Sequence, residues 1–243
     1  MTNIAANRAA TATALRYRTL AVDAFNEAQA HYEIAVLDHV TARILEAYPE
    51  TTHLTFGDSS RDRTIELHGL WATHHGGTEE LILDVPRDAD TSALDLQEIA
   101  DDLTEALAGR QSVAWSAVRP QPRPGGHRVL NLPPTDRAVR IAELVRAHHP
   151  DAQLLTVDLV RNTCRVRDIV CAKLSEFGGA IGKPVQATDE LPLWPVETER
   201  QITALIQQIH ALPHLRAERL ARVGGPRERT AFFLLPQTSS GKE

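Results

Sequence analysis

The chain has 243 residues, of which 42% are hydrophobic and 24% charged, and its formal net charge is −6 at pH 7. This apolar fraction is enough for a packed core and excludes a wholly disordered chain. No apolar run is long enough to span a membrane, the first residues lack the basic cluster and apolar block of a secretory signal, and two cysteines exclude a disulfide framework. We expect a cytoplasmic protein of one or two domains.

A long N-terminal helix is predicted over about residues 10–48, because the first 48 residues contain neither Gly nor Pro and Pro49 ends the pattern. Apolar residues recur along it in steps of three, four and seven, which places them on one side of a helix. This stripe is predicted either to pack on the protein's own sheets or to pair with a second copy of the chain. The predicted interaction residues are Phe25, Tyr32, Val36 and Val40.

A strand meander follows, in which apolar and polar residues alternate and turn clusters separate the strands. A helix is predicted next, with Thr91 or Ser92 as its N-cap and Gly109 at its end. The predicted strands are 53–56, 64–71, 80–85 and 112–118.

Residues 119–134 contain five Pro and two Gly and are predicted to be a linker between two domains, 1–118 and 135–243. The second half is predicted to begin with a helix near Thr135 and to contain another helix that starts at Pro195. Its strands are predicted at 154–160, 164–174, 185–187 and 230–235. Cys164 and Cys171 fall in one of these strands, and their odd separation predicts opposite faces of the sheet.

The two halves share one order of elements: helix, antiparallel meander, helix, strand. At a constant offset of 101 residues, Pro49 matches Pro150 and Thr55 matches Thr156. The fold class predicted is therefore α+β, with two tandem modules that arose by duplication. Two unrelated halves, or a single larger domain, are the alternatives.

Motifs for catalysis are weak throughout the chain. No nucleophile elbow or dinucleotide-binding motif occurs, and Gly178–Pro184 departs from a phosphate-binding loop in both spacing and its final residue. We expect no cofactor. A metal site on the wet face of the first meander is a weak possibility, because imidazole and carboxylate groups suit a divalent cation. Its candidate ligands are His53, His68, His74, Glu66 and Asp62.

Charge is unevenly distributed, with 9 basic and 19 acidic residues in the first 120 and 17 basic and 13 acidic in the rest. An Arg-rich surface in the second half suits nucleic-acid phosphates, although a basic face that pairs with the acidic half explains the same pattern. The candidate residues are Arg161, Arg165, Arg167, Arg219 and Arg222.

Each group of candidate catalytic or metal-binding residues has a structural explanation that is at least as good as the functional one. The sequence therefore favours a non-catalytic interaction or assembly protein. Its expected partner is a second copy of the chain or another protein, and no membrane is expected. A nucleic-acid-associated protein is the alternative, and a metal-dependent hydrolase comes third.

Overall fold

We describe the protein from a computed structural model. The structure describes residues 2–58, 64–74, 76–120, 122–160, 163–174, 180–186, 192–222 and 230–236. It confirms the predicted α+β class: one long N-terminal helix, two antiparallel sheets and further helices.

Helix α1 runs without interruption from Thr2 to Ala47, which is 46 residues, or about 69 Å at 1.5 Å per residue. It begins earlier than residue 10, where we predicted its start, because the Ala-rich segment that precedes residue 15 favours helix. Only its C-terminal part is packed: Ile34, Leu37, Val40 and Ile44 are fully buried. None of the helices in the described ranges combines the length and the apolarity needed to cross a bilayer.

The first sheet has four antiparallel strands in the order β3-β2-β1-β4, with the first strand of the chain in a central position. Leu54 and Phe56 on β1 are buried, and with Leu70, Leu130 and residues of α1 they form the first hydrophobic core. The strands are β1 (His53–Asp58), β2 (Ile65–Thr73), β3 (Glu79–Asp84) and β4 (Arg128–Asn131).

Short helices connect β3 to β4. The four-residue α2 (Val85–Asp88) and the 3₁₀ turn Ala89–Thr91 lead into α3 (Leu96–Ala106). The Asp95 carboxylate caps α3 by accepting a hydrogen bond from the Glu98 backbone N–H. The strand predicted at 112–118 is wrong, because Val113–Ala117 is a 3₁₀ helix.

Side-chain hydrogen bonds explain this difference. The Ser112 hydroxyl donates to the Ala106 carbonyl and accepts from the Ala114 N–H, and the Trp115 indole N–H donates to the carbonyls of Leu107 and Gly109. These bonds hold the segment as a helical turn against the end of α3. The fourth strand instead lies inside the predicted linker, since β4 occupies residues 128–131 and pairs with β1.

The second sheet has five strands in the order β7-β6-β5-β9-β8, and its strands form the second hydrophobic core together with three helices. Its helices are α4 (Arg137–Arg146), α5 (Val196–Ala211) and α6 (Pro213–Arg219). Its strands are β5 (Ala152–Val160), β6 (Thr163–Leu174), β7 (Ala180–Gln186), β8 (Leu220–Arg222) and β9 (Thr230–Leu234).

The two sheets correspond in topology. In each, the first strand pairs with the second strand on one side and with a later strand on the other. The pairing of β1 with β2 shifts register between Thr55 and Phe56, and that of β5 with β6 shifts between Thr156 and Val157. These positions are 101 residues apart, the offset found in the sequence. The correspondence agrees with duplication, but common ancestry of the halves stays a prediction, as do the domain boundaries.

The two halves contact each other through a buried polar network. The Arg137 guanidinium of α4, 6% exposed, donates to the Asp38 carboxylate on α1 and to Gln208 Oε1 on α5, at 2.8 Å. The Gln208 amide in turn donates to the Ser116 hydroxyl at 3.1 Å. Leu212, just after α5, packs in the first core.

Candidate functional site

The most unusual surface of the molecule is the N-terminal part of α1. Every residue from 7 to 29 is exposed, and we call this segment the exposed half of α1. It carries large apolar side chains in spite of this exposure: Leu15 is 61% exposed and Phe25 is 67% exposed. Exposed apolar side chains that cluster, rather than lie singly, mark interaction sites.

These apolar side chains share one side of the helix. Leu15, Val22, Phe25 and Tyr32 follow each other in steps of seven, three and seven, which keeps them within one stripe. We call these four residues the apolar stripe. The opposite side of the same helix carries three charged residues and one exposed leucine: Arg16, Asp23, Glu27 and Leu20.

The C-terminal end of the exposed half is fixed to the body of the protein. Glu33 is buried, and its carboxylate accepts hydrogen bonds from the Gln29 amide at 2.9 Å and from the Val113 N–H at 3.0 Å. The Tyr32 hydroxyl bonds to the Glu105 carboxylate on α3, and this bond is the main reason why the pKa of Tyr32 is raised. These contacts direct α1 away from the body at a defined point.

The predicted interaction residues divide at this point. Phe25 and Tyr32 are exposed, whereas Val36 is half-buried against the first core and Val40 is fully buried within it. Val40 is therefore not accessible to a partner. Helical periodicity could not make this distinction, because one continuous stripe serves the core at its C-terminal end and lies in solvent at its N-terminal end.

The candidate metal ligands of the first meander do not converge. His53 is buried, His74 bonds to Glu80 at 2.6 Å, and the ring of His68 stacks on that of His127 with centroids 3.9 Å apart. Glu66 is exposed on β2, and Asp62 lies outside the described residues. No group of three or more His, Cys, Asp or Glu residues suited to a metal occurs in the described ranges.

His53 has a structural role in the outer face of the first sheet. Its Nε2 lies 3.2 Å from Arg123 Nη2, a donor, and 3.4 Å from Glu79 Oε1, an acceptor. Its Nδ1 lies 3.0 Å from the Thr52 hydroxyl, which also donates to the Trp71 carbonyl. The ring is therefore part of an extended hydrogen-bond network rather than of an isolated pair of nucleophile and base.

Electrostatics support the same conclusion. The pKa of His53 is lowered to about 4, chiefly by burial and then by the Arg119 and Arg123 charges, against an opposing contribution from Glu79. Arg123 bonds to Glu79 and also lies over the Trp71 ring, 4.7 Å from its centre. The sequence did not predict this cluster of His53, Trp71, Glu79 and Arg123, because its members are up to 70 residues apart and share no motif.

The basic residues of the second half are largely paired. Arg167 contacts Asp168 at 3.0 Å and Asp158 at 3.6 Å, and Arg219 contacts Glu218 at 3.1 Å. Arg165 is exposed, while Arg161 and the side chain of Arg222 lie outside the described part of the structure. The pairs support the explanation in which acidic residues neutralise this face, and the nucleic-acid hypothesis stays a prediction that no contact favours.

The two cysteines correct one expectation. Cys164 and Cys171 both contact the second core, not opposite faces of the sheet. The register shift in β6 leaves Arg167 between the partners of Thr156 and Val157, and one extra residue in a strand reverses the alternation of its faces. Both thiols are free, and burial raises the pKa of Cys164 to about 12, so this thiol is not a nucleophile.

A shallow cleft of about 150 Å³ lies where the exposed half of α1 meets the body. Its wall includes Asn26, Gln29, Glu33 and Ser112. The carboxylate of Glu33 is its only acid, and the cleft contains no pairing of a nucleophile with a base among the described residues. The cleft is suited to bind a polar group rather than to catalyse a reaction.

Comparison with known proteins gives no family assignment. No family model matches the chain, and no curated protein and no solved structure is significantly similar to it.

Proposed function

We propose that this chain is a non-catalytic assembly protein that associates with a second copy of itself through the exposed half of α1. The observation that carries the proposal is the apolar stripe: Leu15, Val22 and Phe25 are 61%, 49% and 67% exposed, and none of them belongs to either hydrophobic core of the described residues. The proposal includes a location in the cytoplasm, with which two unbonded cysteines are consistent.

The physical argument concerns the helix itself. A helix in water that lacks tertiary contacts is marginally stable, since most helical stability in proteins comes from burying an apolar face. The exposed half spans residues 7–29, or about 33 Å at 1.5 Å per residue. Pairing with another helix would bury the apolar stripe and stabilise this length of α1.

Sedimentation velocity at micromolar concentration tests this proposal. The wild-type protein is expected to sediment as a dimer. The double variant Val22→Gln/Phe25→Gln is expected to be monomeric, because glutamine maintains helix propensity and removes the apolar contact.

Leu20→Gln is the matched control. Leu20 is 55% exposed on the same helix but on the side opposite the stripe. Its replacement should therefore leave the protein a dimer in sedimentation. Circular dichroism of each variant verifies that the body is folded. A wild-type protein that is monomeric over this concentration range would contradict the proposal.

A further inference from the structure

The charges of α1 are separated along its length. Residues 2–22 contain three arginines and no acidic residue, whereas residues 23–42 contain four acidic residues and no arginine or lysine. The three arginines are Arg8, Arg16 and Arg18, and none forms an ion pair within the described residues. The tip of this helix is therefore basic, although the rest of the first half, residues 23–120, has only six basic residues against nineteen acidic ones.

The base of the exposed half has more acidic than basic residues, although Glu27 pairs with Arg216, Asp38 with Arg137 and Glu98 with Arg43. Helix α3 packs beside α1, and residues 95–106 contain five acidic residues and no basic one. Glu105 lies at the end of α3 nearest to the exposed half, where it contacts Tyr32, and Asp102 is close enough to affect the same tyrosine. The negative end of the α3 dipole lies here as well.

We infer that two copies pair through α1 in an antiparallel orientation, centred near residue 20, so that the basic tip of each lies against the acidic base of the other. This inference rests on the proposed function and specifies its geometry. In an antiparallel pair centred at residue 20, Leu15 of one copy lies opposite Phe25 of the other, and Arg18 lies opposite Val22. Leu15 and Phe25 thereby meet each other across the seam, and Val22 packs on the aliphatic part of the Arg18 side chain.

Charge decides between the two orientations. A parallel pair would place three arginines beside three arginines and the acidic base beside the acidic base, and like charges in register oppose association. The antiparallel pair places Arg8 of one copy opposite Tyr32 of the other, beside Glu105. The cleft that contains the buried Glu33 carboxylate lies at the same place and can receive the arginine side chain.

Disulfide formation between introduced cysteines tests the orientation. Leu15→Cys and Phe25→Cys are made as separate proteins in a Cys171→Ala background, which leaves only the buried Cys164 as a native thiol. One of the two carries a tag that changes its mobility on a gel. Each protein is oxidised alone, and the two are also oxidised after mixing.

The antiparallel arrangement predicts a mixed disulfide between position 15 of one chain and position 25 of the other, with neither variant linking to itself. Disulfides in either variant alone would indicate parallel pairing and overturn this inference while leaving the proposed function intact. A monomeric wild-type protein would overturn the proposed function itself. A dimer that forms no disulfide in any sample would place the interface elsewhere and overturn both.

Charge reversal provides a second measurement on variants that leave the core untouched. Arg8→Glu and Glu105→Arg are each expected to weaken dimerisation, by up to about fivefold for each of the two symmetric contacts. The protein with both changes is expected to recover the wild-type dissociation constant. Recovery in the double variant supports the antiparallel contact, and additive weakening would contradict it.

Discussion

At the scale of single residues, His53 links the stability of the fold to pH. The imidazole is 1% exposed, and its pKa is lowered from 6.5 to about 4. Between these two pH values the unfolded chain binds a proton that the folded chain does not. The free energy of unfolding should therefore fall as the pH falls from about 6.5 to 4, and this loss should be complete below pH 4.

We predict that His53→Gln reduces this pH dependence by about 2–3 kcal/mol, measured by urea unfolding at pH 7.5 and pH 4.5. His74→Gln is the matched control, because His74 lies on the surface and bonds only to Glu80 among the described residues. His68, whose pKa is lowered by burial and by His127, contributes in the same direction and remains in both variants. An unchanged pH dependence in His53→Gln would mean that the imidazole is not buried in the neutral form.

Arg137 is a second residue whose role can be measured directly. Replacement by methionine leaves the buried Gln208 carbonyl without its donor and the Asp38 carboxylate without its partner. We predict a loss of about 2–3 kcal/mol in the free energy of unfolding. Arg140→Met on the same helix is the control: Arg140 is exposed and pairs with Glu143 at 2.9 Å, so its loss should cost less than about 0.5 kcal/mol. Equal losses would contradict a structural role for the buried network.

At the scale of elements, α1 has an exposed part and a buried part. Deletion of residues 2–20 is predicted to leave the body folded and to abolish dimerisation, because the core begins only at Ile34. Deletion of residues 2–40 removes Ile34, Leu37 and Val40 and should unfold the protein, since each buried aliphatic side chain contributes about 2–5 kcal/mol to a marginal total. Circular dichroism and sedimentation distinguish the two products. A folded product of the longer deletion would show that α1 is not part of the core.

The elements that sequence patterns predicted well are those with long periodic runs, such as α1, α5 and the hairpin of β5 with β6. Two kinds of feature were not predictable. The 3₁₀ helix at 113–117 is a short, mostly apolar segment of the kind that also forms strands, and only the hydrogen bonds of Ser112 and Trp115 to the end of α3 show otherwise. Because Arg167 in β6 has no partner in β5, both cysteines lie on the same face of the sheet. Neither signal is local in the sequence.

At the scale of the whole molecule, the candidate site was predicted in part. Periodicity identified the stripe that contains Phe25 and Tyr32, but it could not show where the stripe leaves the core, because that depends on how far the body extends along α1. The metal and nucleic-acid hypotheses were drawn from residue types. The structure separates the histidines and pairs Arg167 and Arg219 with acids among the residues that it describes.

The absence of Gly and Pro from the first 48 residues has a geometric consequence for the assembly. Each body contacts α1 as far as Glu27, which pairs with Arg216 and is seven residues from the proposed centre. Two bodies on opposite ends of the paired helices would then be held about 21 Å apart along the axis. The paired helices would form a stiff connection between the two bodies, and the number of helical residues would set the distance between them.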